Sequence, residues 1–190
     1  MSYPKIALVV EAPNGEALTR LAIPNEGYGG HELLLSTKER YLAMFLYSGQ
    51  SEVGYELFYF RPLLQHICSF GYVYGEGVGP AFSSDESRLG LAWATNPMLE
   101  EEDVERLPSG ECLVDWATLR IQELPHGRTT SCNFRVRVSV GFPFEDYDSY
   151  YPERLEIVGE EARFHTTWGE RVIAPLPLPG SLIIPGPRTR

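Results

Sequence analysis

Cysteine is scarce in this chain, and what there is cannot form a framework. Cys68, Cys112 and Cys132 are odd in number, far apart and without a C-x-x-C pair. That excludes a disulfide-stapled scaffold and a clustered zinc site, and predicts reduced, mostly buried thiols. Also missing is any run of eighteen apolar residues that would span a bilayer as a helix. The opening Met-Ser-Tyr-Pro-Lys has no basic region followed by an apolar stretch and a cleavage site, so a cytoplasmic chain is expected. Positive charge is short as well: 16 Lys and Arg face 26 Asp and Glu, a formal charge of −10. Neutralising phosphates needs clustered Lys and Arg, so neither nucleic acid nor an anionic membrane is an expected partner, whereas a basic protein is. No repeat of twenty to fifty residues is visible.

What is present is a hydrophobic share of 43% over 190 residues, enough for one core and with no composition break inside it. The strongest pattern lies at 131–142. Cys132, Phe134, Val136, Val138, Val140 and Phe142 alternate with Asn133, Arg135, Arg137, Ser139 and Gly141, which predicts a long strand with one buried face and a register fixed by its own alternation.

The rest of the chain is less regular. Residues 5–12 and 16–23 flank Asn14-Gly15, the signature of a β-hairpin with a type I′ turn. The glycine-rich stretch 25–31 is a connection. Ser36-Thr37-Lys38-Glu39 has capping-box spacing, and Tyr41, Leu42, Phe45 and Leu46 have helical spacing, so a helix is expected to run to about Tyr47. Residues 55–60, 69–74 and 89–94 read as strands, and 63–68 as ambiguous. Asn96-Pro97 followed by Glu100 to Asp103 predicts a short acidic helix ending before Pro108. For 112–124 neither the helical nor the strand period wins. Residues 125–130 form a turn, and 154–158, 162–168 and 171–174 read as a three-strand meander. Pro175, Pro177, Pro179, Pro185 and Pro187 favour an extended arm that excludes helix and offers a route to self-association.

The expected fold is therefore α+β or mainly β. It is a single domain over 1–174, with an antiparallel sheet or sandwich, one or two helices, and a proline-rich arm over 175–190.

Motifs for chemistry are incomplete. His31-Glu32-Leu33-Leu34-Leu35 lacks the second histidine of a zinc helix. Gly49-Gln50-Ser51-Glu52-Val53 puts a branched residue where a nucleophile elbow needs glycine. Gly75-Glu76-Gly77-Val78-Gly79-Pro80 replaces the last glycine of a dinucleotide loop with proline and sets a glutamate where phosphate would sit, so it reads as a turned loop. His66 and Cys68 would share a face on a strand, which leaves contact open. His126 and His165 show no ligand spacing. No metal or cofactor is implied.

The most distinctive surface candidate is 142–153, where Phe144, Glu145, Asp146, Tyr147, Asp148, Tyr150 and Tyr151 interleave aromatic rings with carboxylates between prolines. Tyrosine supplies large contact area at low entropy cost and carboxylates select Lys and Arg, so these seven residues are the candidate partner-binding set. Calcium ligation by Asp146, Asp148 and Glu153, and rings folded back into the core, are the competing readings. The leading functional expectation is a non-catalytic binding or assembly component, of inhibitor or immunity type, for a basic partner. A hydrolase assembled from distant His, Cys, Asp and Glu residues and a β-rich small-ligand binder with an apolar cavity in 41–74 are the alternatives.

Overall fold

A computed structural model describes residues 7–11, 13–22, 31–47, 52–74, 77–94, 104–139 and 152–186, and among these the chain is all β, with no helix. Fifteen strands run in order: β1 Ala7–Glu11, β2 Ala17–Ala22, β3 His31–Leu35, β4 Tyr41–Tyr47, β5 Glu52–Tyr59, β6 Gln65–Tyr74, β7 Gly77–Phe82, β8 Arg88–Ala94, β9 Glu105–Arg106, β10 Cys112–Glu123, β11 Thr129–Val138, β12 Pro152–Val158, β13 Glu161–Thr166, β14 Arg171–Pro175 and β15 Ser181–Pro185. They form a hairpin β1-β2, a sheet β3-β4-β5-β6, a sheet β15-β11-β10-β8-β7 with β9 beside β10, and a sheet β12-β13-β14. All pairings are antiparallel except β15 with β11.

The sheet containing β8, β10 and β11 is the middle layer. On one face Val114, Trp116, Leu119 and Ile121 of β10 and Phe134 and Val136 of β11 pack with Leu155, Ile157, Phe164 and Val172 of the three-strand sheet. Trp116 anchors this core, with ring centroids 5.4 Å from Phe164 and 5.2 Å from Trp168, and truncating it to Ala removes about 3–5 kcal/mol. At Gly90 a Cβ would lie 2.9 to 3.0 Å from the terminal methyls of Ile121, Ile157 and Leu155, so a larger residue there would make those side chains shift. On the opposite face Leu89, Leu91 and Trp93 of β8 pack with Tyr41, Ala43, Phe45, Tyr55 and Leu57. The outer face of that second sheet, with Leu42, Met44 and Phe58, is met by Leu8 and Val10 of the hairpin.

The long alternating strand is β11. Cys132, Phe134, Val136 and Val138 are buried, and the residues between them face outward, with Arg135 paired to Asp115 and Glu105. The N-terminal hairpin and the three-strand meander also form where the sequence places them, and Gly15 takes the positive φ that the turn needs.

Three readings are corrected. No helix begins at the capping box: Ser36 does cap, but its Oγ accepts from the Tyr41 N–H and the chain reverses into β4. Residues 41–45 are buried without a period because Tyr41, Ala43 and Phe45 face the middle sheet while Leu42 and Met44 face outward beneath the hairpin. The glycine-rich 75–80 is not only a loop, since β7 starts at Gly77 and pairs with β8 through a register shift between Val78 and Ala81. The segment 112–124, where neither period wins, is strand β10. The acidic helix expected to end before Pro108 falls outside the described residues up to position 103, and its last part is not helical, because Glu105–Arg106 is strand β9, drawn extended by pairing with Cys112 and Leu113 of β10.

The proline-rich segment is extended and also part of the sheet. Asn133 N–H donates to Gly180 O and Gly186 N–H to Arg137 O, so even-numbered residues of this strand face β11 and odd-numbered ones face outward. Pro179 and Pro185 therefore sit where a missing N–H costs no ladder bond, and they shorten the open edge. Leu176 and Ile184 are buried in the core.

Candidate functional site

Phe144, Glu145, Asp146, Tyr147, Asp148, Tyr150 and Tyr151 lie outside the described residues. What the structure does place is the ground they connect to. Arg106, Cys112 and Val138 form one row across β9, β10 and β11, and Glu105, Leu113 and Arg137 form the next. β8 is left at Ala94 opposite Ala117 and β9 resumes at Glu105 opposite Leu113, so the acidic stretch 95–103 is tethered along the flank of β10, in the half of the middle sheet that ends at Cys112, and 140–151 follows β11 where Val138 closes that same half. Around that end the described acids are already paired, Glu105 and Asp115 with Arg135 and Glu111 with Arg137.

A second arrangement was missed in the sequence. Glu56 of β5 is fully buried. Its Oε2 accepts from Ser69 Oγ at 2.6 Å and lies 2.6 Å from His66 Nε2. Oε1 has no partner among the described residues. Residues three apart on a strand ordinarily face opposite ways. Here the register passes from Leu57 opposite Cys68 to Phe58 opposite His66, so Ile67 is an extra residue and the bulge turns His66 and Ser69 to one side. The same bulge separates His66 from Cys68, whose thiol faces the other way toward Gln122, so the shared face expected of that pair does not form.

The cluster contains a serine, a histidine and a carboxylate, but its geometry is that of a held carboxylate and not of a relay. Ser69 Oγ, 3.4 Å from His66 Nε2, and Glu56 Oε2 meet the same ring nitrogen, whereas a relay needs the orienting carboxylate and the nucleophile on opposite nitrogens. Two other histidines lie elsewhere: His126 is edge-on to Tyr59 at 6.3 Å, and His165 is exposed on β13. Burial raises the Cys68 thiol above its ordinary range and pushes Cys132 up to about 11, so neither is an activated nucleophile. No group of three or more metal-ligating side chains occurs among the described residues.

A third feature is a cleft of about 290 Å³ at the other end of the middle sheet, lined by Arg88, Ile121, Glu123, Arg128, Thr130, Leu176 and Pro177. It lies away from the aromatic segment 41–74, where Tyr41, Phe45, Tyr55 and Phe58 are themselves core.

No protein-family model matches the chain, and no curated protein does. Among solved structures, a prolyl endopeptidase is similar over 85% of this chain at 13% identity with a TM-score of 0.44, and the match covers 23% of that longer chain. A likeness of that degree assigns neither fold nor activity.

Proposed function

We propose that this protein is a non-catalytic binding or assembly component, acting in the cytoplasm, that engages a basic protein partner and neither nucleic acid nor membrane. One observation carries the reading. The acids flanking the Cys112 end of the middle sheet are matched by arginines, while Glu100, Glu101, Glu102, Asp103, Glu145, Asp146 and Asp148 belong to the two segments tethered to that half of the sheet. Seven carboxylates without a Lys or Arg among them, in two segments tethered to one half of the sheet, steer a basic partner toward those segments. Tyr147, Tyr150 and Tyr151 supply the contact area. No helix among the described residues is long and apolar enough to cross a membrane.

The test is capture from the native host with the wild-type chain and with a Glu145→Gln, Asp146→Asn, Asp148→Asn variant, then kinetics on the protein recovered. Neutralisation should lower the association rate about tenfold and flatten its salt dependence, and Tyr147→Ala should speed dissociation. Identical association rates and salt dependence for wild type and neutralised chain would overturn the reading.

A further inference from the structure

The cleft opposite the acidic end has a chemistry of its own. In the ladder Arg88 pairs with Glu123 and Gly90 with Ile121. Ile121 pairs onward with Thr130, and Glu123 N–H donates to Arg128 O. Arg88, Glu123 and Arg128 therefore form the outermost row on one face, with Ile121 and Thr130 one row inward. Arg88 is already engaged, donating to Gly159 O at 2.9 Å and to the Glu160 carboxylate. Glu123 and Arg128 differ from it. They stand opposite one another in register, yet neither side chain makes an ion pair or hydrogen bond among the described residues, and both line the cleft. The apolar wall is Ile121 with Leu176 and Pro177 of the segment that crosses above, held by Leu176 N–H on Glu160 O.

We infer that this cleft binds a small zwitterion with an apolar side chain, of the class of a free α-amino acid. Arg128 takes the carboxylate in the two-point geometry a guanidinium offers, assisted by the Thr130 hydroxyl. Glu123 takes the ammonium, and the side chain rests on Ile121, Leu176 and Pro177. A simple anion would be repelled by Glu123 and a simple cation by Arg128, so only a ligand with both charges satisfies both groups. The volume is at the small end for ligand sites, which suits a molecule of this size.

The experiment is an NMR titration of the full chain with L-leucine, N-acetyl-leucine and leucinamide, up to about 20 mM of each, the range in which millimolar binding is seen. Saturable shifts at Ile121, Thr130 and Leu176 with leucine are expected, and at least tenfold weaker binding of either capped analogue. Arg128→Gln should weaken leucine about tenfold and leave leucinamide no weaker than it already is; Glu123→Gln should do the same for leucine and N-acetyl-leucine. Both residues are exposed, so both variants should keep the wild-type melting temperature. Absence of saturable shifts, equal binding of all three compounds, or leucine binding indifferent to both substitutions would overturn the inference.

Discussion

Glu56 and Glu86 are both carboxylates removed from solvent, at 0% and 1% exposure, and they are treated in opposite ways. Glu86 sits at the tip of the β7–β8 turn and is met from the β3–β4 turn by Arg40 Nε at 2.5 Å and by the Lys38 N–H. Burial pushes its carboxyl up, but hydrogen bonds from Ser36, Arg40 and Lys38 outweigh this and hold it below the usual range. Glu56 has two partners on one oxygen and none on the other among the described residues. The first is a tie between two sheets. The second is a buried charge only half compensated, and the contrast shows that burial by itself says nothing about whether a charge stabilises.

The largest expected effect comes from removing the tie. Glu86→Ala should cost about 3 kcal/mol in urea unfolding, because several charge-assisted hydrogen bonds vanish together and both turns lose their anchor. The pH dependence has a definite sign. A carboxyl held below its unfolded value near 4.5 contributes fully above that pH, and the contribution is lost as pH falls through the lower folded value. The gap between wild type and Glu86→Gln should therefore be widest near neutrality and close on acidification; a gap that widens in acid would contradict the assignment.

His66→Ala should cost less, about 2 kcal/mol, by leaving Glu56 with Ser69 alone. In a Glu56→Met background the same change should cost under about 0.5 kcal/mol, since the charge it serves is gone, and additive losses would show that His66 acts through packing on Phe58 instead. Glu56→Met alone should fall within about 1 kcal/mol of wild type, as apolar replacement of a poorly compensated buried ion often does. A loss as large as that of Glu86→Ala would erase the distinction between the two sites. Smallest is Glu39→Gly. Glu39 has φ 57° and a solvent-exposed ion pair to Arg61, so relieving the backbone should gain about 0.5 kcal/mol in melting or urea experiments.

These two turns also show how local signals misled. Ser36 to Glu39 and Ser83 to Glu86 share the spacing S-x-x-E, and both loops are built alike. The serine hydroxyl accepts from the backbone N–H of Tyr41 in one and of Arg88 in the other, while Glu39 and Glu86 take positive φ. A serine that satisfies nearby N–H groups serves a helix start or a tight reversal equally, and only the packing of the downstream residues decides between them. Asp85 in the second loop, held down to about 2 by hydrogen bonds from Ser83 and Ser87, was equally silent in sequence. So was the Glu56 cluster, which depends on the bulge at Ile67.

What the sequence determined by itself was structure with one wet face. In β11 the alternation of Cys132, Phe134, Val136 and Val138 with polar residues survives because water lies on the other side, and the meander β12 to β14 is legible for the same reason. The tertiary structure decided everything buried on both faces. β10 loses its period because the extra residue Trp116 shifts its phase and because Leu113, Thr118 and Gln122 of its second face are buried as well; β4 loses it between the middle sheet and the hairpin. Which carboxylates meet arginines, and which row of charges opens into a cleft, depended on register between strands distant in sequence, and a linear pattern carries no information about that distance.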